Sequence, residues 1–505
     1  GFTPSDFPLV ALDQARVEEV EAAVAGLVEV LPVSPLQEGL LFHSLFDVGS
    51  VDVYVEQLVL EVRGLLDVGV LRASWQAVVD RHAGLRAGFW QPSGSVRPVQ
   101  VIAEGVEVPW RCVDLSRVSG GQAWAESERI AVEERARRFD LARPPLLRVL
   151  LVRVGVDEWR LAVTLHHLVL DGWSLPLLLR EVWTAYAAGG TADDLAPALP
   201  SRAYYSWLDH QDRPAARQAW TRALAGLDEP TLIAPATDAL GPGTTAQYVV
   251  RLDDELDTAL RELASGAGVT LNTVVQVAWA VVVGALAGRR DVVFGATVAG
   301  RPAELPGMET MLGLFINTVP VRVRLEGSCT VAELLGVVQA EQSGLLDHQH
   351  LGLSEIQRAV GPGAGFDTLL AFENYRVGRS DPPAPLRLVG TGVRESTHYA
   401  LTLGVSPIDG LELRIDHRLD LYDTTAAEAL AGRLIRVLEQ MAAGPEARVG
   451  TLTLLDAGER ARVVEEWNTT GRPVDAALVP ELVAEWAART PEAVAVRCGS
   501  VELSY

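Results

Sequence analysis

Apolar and polar positions along the chain fall into two rhythms. Strand-like alternation at Tyr54–Val62 and apolar runs at Leu146–Val154 and Trp159–Leu168 predict strands. Helical spacing at Val68–His82, Gln122–Arg138 and Leu175–Ala188 predicts helices among them, and Ser34-Pro35 opens another that runs to Leu45. Strands alternating with helices indicate an α/β lobe. The Gly-, Ala-, Asp- and Pro-rich stretch Ala188–Pro200 breaks the pattern, and a polar helix is expected over Tyr204–Leu227.

The rhythm then resumes. A strand at Gln247–Leu252 precedes helices at Asp254–Ala264 and Leu271–Gly284, an apolar strand at Asp291–Thr297 and the run Leu314–Leu325. Loops are marked at Gly361–Gly365 and Ser380–Pro385, and strands at Thr368–Glu373, Tyr399–Pro407 and Leu411–His417, before a closing helix at Thr424–Ala442. The shared rhythm of the two lobes hints at pseudo-symmetry. These signals divide the chain into a linker at 1–29, a first lobe at 30–200, a second at 201–455 and a further linker at 456–470. Residues 471–505, with an amphipathic helix at Pro480–Arg489 and a strand pair around Val494–Tyr505, read as the start of another domain, too short to complete a core.

With 505 residues the length suggests about three globular units, and 49% apolar residues permit a large core. A formal net charge of −23 argues against nucleic-acid and anionic-membrane partners, which need clustered Lys and Arg. Cys112, Cys329 and Cys498 are scattered without metal-ligand spacing, so unpaired thiols in a reducing cytoplasm and no metal site are expected. No apolar run reaches the roughly 20 residues of a membrane span, and no charged-then-apolar leader opens the chain.

The stretch His166-His167-Leu168-Val169-Leu170-Asp171-Gly172-Trp173-Ser174 lies where an apolar strand gives way to a helix. Neighbouring side chains on a strand face opposite ways, so one histidine serves a cavity while the other belongs to the scaffold. Asp171, in the turn, is placed to anchor it through an ion pair. Gly172 lets backbone approach a ligand closely. Ser174 is a candidate N-cap for the helix that follows, whose N-terminal amides favour an anion.

His-His, three spacers and Asp-Gly at a strand-to-helix junction resemble the HHxxxDG signature of the condensation domains of nonribosomal peptide synthetases, relatives of chloramphenicol acetyltransferase. Other segments are similar to the same family in the same order. Ser34-Pro35-Leu36-Gln37-Glu38-Gly39-Leu40-Leu41-Phe42-His43 resembles its opening helix, and Arg81-His82-Ala83-Gly84-Leu85-Arg86-Ala87-Gly88-Phe89 its RHxxLRxxF element. Tyr204-Tyr205-Ser206-Trp207-Leu208 resembles its inter-lobe helix, and Gly313 to Arg322 its GxFxNTxxxR segment. Asp347-His348-Gln349-His350 is similar to its HQ element, with His350 replacing the more usual acidic or aromatic residue. The likeness covers roughly residues 30–455. At the flanks, Phe2–Val10 resembles the tail of an epimerisation domain, and Trp467-Asn468-Thr469-Thr470-Gly471 through Tyr505 the start of an adenylation domain.

The resemblance implies an α/β fold of two chloramphenicol-acetyltransferase-like lobes, a V-shaped pseudo-dimer with a central substrate tunnel. It implies peptide-bond formation: the α-amine of a downstream carrier-bound aminoacyl thioester attacks an upstream carrier-bound thioester. It assigns the proton-handling or amine-orienting role to His167 and makes the Gly172 amide the candidate oxyanion donor. His166 is scaffold, and Asp171 is structural, paired with Arg86, Arg81 or Arg322. Trp173, Ser174 and Asn317 are candidate tunnel residues, Trp173 and Asn317 leaning towards packing and backbone roles. No intrinsic cofactor is expected; substrates arrive on 4'-phosphopantetheine arms of upstream donor and downstream acceptor peptidyl carrier proteins. The adjoining partners are epimerisation and adenylation domains, with no nucleic acid, no membrane and a cytoplasmic location. The form of Ser34–His43 and of Ala371-Phe372-Glu373-Asn374-Tyr375 resembles the subtype that takes a D-configured donor. The rival epimerisation reading is disfavoured by Gly172 and Leu175 and by the lack of its glutamate-bearing element. The intact His pair weighs against heterocyclisation and recruitment domains, and the adenylation-like continuation against a free-standing coenzyme A acyltransferase.

Overall fold

In the computed structural model, residues 1–46, 52–94, 97–234, 244–374, 381–473 and 477–505 are described, and the chain divides into two units, Gly1–Leu454 and Leu455–Tyr505. The first begins with α1 (Gln14–Ala23), β1 (Leu27–Pro32), α2 (Pro35–Phe46), β2 (Val55–Arg63), α3 (Val68–Arg81), β3 (Ala87–Trp90), β4 (Val99–Ala103) and β5 (Trp110–Asp114). It continues through α4 (Gly120–Ala136), β6 (Leu147–Arg153), β7 (Glu158–His166), α5 (Ser174–Ala187), α6 (Ser201–Asp209) and α7 (Arg213–Ala223). Then come β8 (Thr245–Arg251), α8 (Asp254–Ala267), α9 (Leu271–Ala287), β9 (Asp291–Val298), β10 (Asn317–Arg324), α10 (Val331–Ser343) and α11 (Leu353–Val360). β11 (Thr368–Phe372), β12 (Arg387–Arg394), β13 (Leu401–Ser406), β14 (Glu412–Arg418) and α12 (Thr424–Ala443) complete it.

A five-stranded sheet, ordered β12-β2-β7-β6-β5, centres the first lobe. Leu161, Val163 and Leu165 of β7 face Trp75 and Val78 of α3 and Leu178 and Val182 of α5. Ala162 of the same strand joins Val59, Leu150 and Val152 under Ile130 and Ala131 of α4. Both faces are covered, so β6 and β7 are buried almost throughout. The second lobe is built on a six-stranded sheet, β10-β9-β11-β13-β14-β8. Its α9 is buried at every position from Thr273 to Gly284, between the sheet and α8, α10 and α12. Each such valine contributes about 1.5–3 kcal/mol of burial, which makes this helix the core of the lobe. No single helix among the described residues is long and apolar enough to cross a membrane.

Three expectations need correction, and a fourth gains detail. Residues 1–29 are not a linker: Phe7, Leu12, Val17, Val20, Val24 and Leu27 are buried against Val99 and Val101, and β1 pairs with β4. The lobes are not separable at residue 200, because β12 leaves the second lobe's sequence and pairs antiparallel with β2, extending the first lobe's sheet. The helix expected over Tyr204–Leu227 is two, α6 and α7, the second started by Asp212, whose side chain accepts from the Ala215 amide, with Pro214 in its first turn. The 456–470 segment is helical: α13 (Ala457–Ala461) is capped by an Asp456–Glu459 box and runs on as a π-turn over Arg462–Glu466. The second unit also holds α14 (Val479–Arg489) and the β15 (Val494–Cys498)–β16 (Val501–Ser504) hairpin. Cys112, Cys329 and Cys498 are unpaired.

Candidate active site

β7 delivers the two histidines in different states. His166, its last residue, pairs in register with Val55 and is fully buried. Its Nδ1 accepts from the Leu168 amide (3.2 Å), so Nε2 carries the proton and donates to Asp52 Oδ2 (3.2 Å). Burial lowers its pKa, with Asp52 opposing, and the ring stays neutral. His167 begins a 3₁₀ turn, where the chain leaves the sheet and the ring swings the other way. The two rings part where the strand gives way to the turn: His166 is scaffold and His167 lines a cavity of about 520 Å³.

His167 Nδ1 lies 2.9 Å from the Leu170 carbonyl and 3.3 Å from Glu56 Oε1. Both are acceptors, so Nδ1 carries the proton and Nε2 keeps the lone pair. Burial opposes charging this ring, but Glu56, the Leu170 carbonyl and Glu395 raise its pKa overall. Burial in turn pushes Glu56 up to about 7, against the pull of His167. Sequence reasoning missed Glu56, whose signal was a carboxylate between Val55 and the buried Gln57 at the start of β2.

Asp171 holds the turn, and its partner is Arg301 rather than Arg81, Arg86 or Arg322. Oδ1 accepts from the Ser174 amide (2.8 Å) and Arg301 Nη2 (3.2 Å), and Oδ2 from the Phe315 amide (2.9 Å). Arg301 also binds Ser174 Oγ (2.8 Å) and the Met308 and Met311 carbonyls (2.8 and 2.9 Å), with its guanidinium over the Phe315 ring. Gly300 makes this approach possible: its φ is +58°, and a Cβ there would lie 1.7 Å from the Phe315 carbonyl oxygen. The three arginines first considered are engaged elsewhere, Arg81 with Glu181 (3.2 Å), Arg86 with the Ala103 carbonyl and Arg322 with Asp291 (2.7 Å).

Ser174 is neither N-cap nor tunnel residue. The preceding Trp173 is already helical, so Ser174 is the first residue of α5, fully buried, with Oγ donating to the Gly313 carbonyl (2.9 Å). Asn317 does not line the cavity either; its amide donates to the Gln349 and Leu351 carbonyls, each at 2.8 Å. Gly172 and Trp173 do line it. Across from them stand Glu373, Glu395, Arg414 and Asp416 of the second lobe, and His398, whose Nδ1 accepts from Tyr54 Oη (2.6 Å). Burial, aided by His43, pushes His398 down to about 3, so it is neutral. Of the Ala371–Tyr375 motif, Tyr375 lies outside the described residues, while Ala371 to Asn374 line the cavity.

A family model described as "Condensation domain" matches residues 28–464. The chain is 36% identical over its whole length to one of the linear gramicidin synthase proteins of Brevibacillus parabrevis, spanning 7% of that protein. It is 35% identical over 92% of its length to chondramide synthase cmdD of Chondromyces crocatus, spanning 13% of it. Among solved structures, the X-domain from teicoplanin biosynthesis matches with TM-score 0.71 and 26% identity, over 84% of this chain and 97% of that one. The first condensation domain of the calcium-dependent antibiotic synthetase, in complex with a substrate analogue, shares the fold at TM-score 0.69 and 22% identity, over 84% of this chain and 99% of that one.

Proposed function

The chain belongs to the condensation-domain family of nonribosomal peptide synthetases, and from that premise we propose that its cavity joins two carrier-bound thioesters through a new amide bond. The observation that carries this reading is the setting of His167: Nδ1 is tied to Leu170 and Glu56, and the Nε2 lone pair is left for a substrate amine in a cavity walled by both lobes. The acceptor's amine nitrogen attacks the donor's thioester carbon, forming C–N as the carbonyl becomes an oxyanion. His167 Nε2 holds or takes the amine proton. Collapse breaks C–S, and the proton goes to the departing pantetheine thiolate. Holding both tethered reactants in one cavity removes much of the entropic barrier to their encounter. The Gly172 amide, beside the start of α5, is the candidate donor to the oxyanion.

In this reading the upstream and downstream partners are peptidyl carrier proteins bearing 4'-phosphopantetheine, with epimerisation and adenylation domains adjoining and a cytoplasmic location. The donor carries a D-configured terminal residue, because inversion at its α-carbon exchanges hydrogen and side chain and one cavity presents only one epimer's carbonyl without a clash. The test is to load donor and acceptor carriers chemically, mix them with the 505-residue chain without an epimerase, and follow dipeptidyl-carrier by mass spectrometry. Product with the D-donor, formed faster than with the L-donor, is expected. Faster reaction of the L-donor overturns the stereochemical part alone, and no product with either overturns the amide-forming reading.

A further inference from the structure

Two imidazoles line the cavity, and the proton path uses one of them. His167 follows β7 and His398 precedes β13, yet both are tied to the start of β2. The Tyr54 carbonyl accepts from the His167 amide (2.9 Å), while the Tyr54 hydroxyl meets His398 Nδ1 (2.6 Å). Two residues on, Glu56 meets His167 Nδ1 (3.3 Å). Tyr54 and Glu56 both line the cavity, so two neighbouring positions of one wall each hold an imidazole by its Nδ1.

The two partners leave the rings in opposite states. The 2.6 Å separation suits an O–H donor and is shorter than the roughly 2.7–3.2 Å of an N–H donor. Burial raises the Tyr54 hydroxyl well above its ordinary pKa, so it keeps its proton and donates. His398 Nδ1 therefore accepts, and Nε2 carries the ring proton. His167, held by two acceptors, presents a lone pair at Nε2 instead. Among the described residues nothing accepts from His398 Nε2, and this nitrogen is not sealed off as the unpartnered Nε2 atoms of His350 and His417 are. The ring is also fixed in place. It stacks on His43 (4.2 Å between centroids) and lies against Tyr399 (4.1 Å). The chain before it is pinned by Ser396 Oγ to the Val53 carbonyl (3.3 Å) and by Thr397 Oγ1 to Thr402 Oγ1 (2.7 Å). A rigid N–H open to the cavity is a preorganised donor for an acceptor atom on a ligand.

We propose that His398, oriented by Tyr54, donates its Nε2–H to a thioester carbonyl oxygen in the cavity, an inference that rests on the reading of that cavity as the meeting place of two thioesters. Both reactants carry this group. On the donor it is the oxygen that becomes the oxyanion, and His398 joins the Gly172 amide in stabilising it. On the acceptor it does not react, and the bond orients the aminoacyl group so that its nitrogen meets His167. The ring stays neutral and gives up no proton, so the proton balance of amide formation is unchanged. Tyr54 is a positioning residue that acts through His398, by fixing which nitrogen carries the proton.

The test uses the full chain and two N-acetylcysteamine thioesters, each isotope-labelled at the carbonyl carbon. Acetyl-D-alanyl, its nitrogen blocked, serves only as donor, and glycyl serves as acceptor. A hydrogen bond lowers a carbonyl's stretching frequency, so infrared spectra of each bound probe read the contact without turnover. One labelled band should lie lower on the parent than on His398→Phe, which keeps a flat ring, and should return on His398→Gln, whose amide supplies an N–H at similar reach. A shifted acetyl-D-alanyl band identifies the donor carbonyl and predicts a kcat loss of about 10²- to 10³-fold in His398→Phe. A shifted glycyl band identifies the acceptor carbonyl and predicts an acceptor KM raised about two- to tenfold with kcat little changed. Tyr54→Phe, in which the ring proton is free to sit on either nitrogen, should weaken the same band shift, and it carries the test if His398→Phe does not fold. Equal bands on parent and variants, or a shift that His398→Gln fails to restore, overturn the proposal, while dipeptide product from the parent keeps the two-thioester reading standing. If neither probe binds the parent, both fall.

Discussion

Asp171 and Asp416 are both buried aspartates beside an arginine, one under the first lobe's wall of the cavity and one in the second's, and they are satisfied to different degrees. Asp171 uses both oxygens on fixed donors, the Ser174 and Phe315 amides and the Arg301 guanidinium, and faces no substrate. Asp416 shares Arg414 with Glu373 and Glu395, and burial raises its pKa to about 6. A carboxylate with fixed donors on both oxygens holds a turn in place, and one that shares its arginine with two other acids is pushed toward its protonated form. The first also stitches the lobes together, since Phe315, Gly313 and Arg301 belong to the second lobe and Asp171 and Ser174 to the first.

The largest effect that would undo this contrast is on stability. Asp171→Asn leaves Arg301 buried without its counter-charge and should cost about 3–5 kcal/mol in urea unfolding, with turnover lost alongside. An Asp171→Asn protein that unfolds like the parent yet makes no product would instead give Asp171 a chemical role. Replacing Arg301 with Met as well should recover part of the loss, a coupling of about 0.5–3 kcal/mol in a double-mutant cycle.

That arginine shows where the sequence stops informing. The His-His–Asp-Gly pattern and its strand-to-helix setting were legible, and with them the parting of His166 from His167. The partner of Asp171 was not, because Arg301 sits in an irregular turn after β9 and reaches Asp171 only once the lobes pack, across 130 residues of chain. The same holds for β12, whose register is set by the open edge of β2 in the other lobe. α10 was readable and was missed: Thr330 and Glu333 form a capping box ahead of Val331, Leu334, Leu335 and Val338. The Asp416 cluster left no local pattern, its members arriving from three separate strand ends or strands.

A smaller effect refines the contrast through pH. His167 works as a proton acceptor only when neutral, and Glu56 helps to raise its pKa, so the acid limb of the parent's rate profile should lie above the ordinary histidine value. Glu56→Gln removes that pull and should move the limb to lower pH; a limb that stays in place would detach Glu56 from the proton path. The smallest effect concerns Asp416 and stability. Its folded pKa, about 6, lies above the unfolded value, so the folded state binds the extra proton and this residue's contribution falls as pH rises from about 4 through 6. The stability of Asp416→Asn relative to the parent should therefore improve between pH 5 and pH 8 in urea titrations, and a flat difference would contradict the raised pKa.

Whether only His167 of the two adjacent histidines faces chemistry is decided by measuring dipeptidyl-carrier formation and melting temperature on His166→Ala and His167→Ala side by side. His167→Ala is expected to melt like the parent and to turn over about 10²- to 10⁴-fold more slowly, several acceptors being tried, while His166→Ala loses stability through its buried hydrogen bond to Asp52 and the cavity it leaves. Full turnover by a folded His167→Ala protein would refute the assignment.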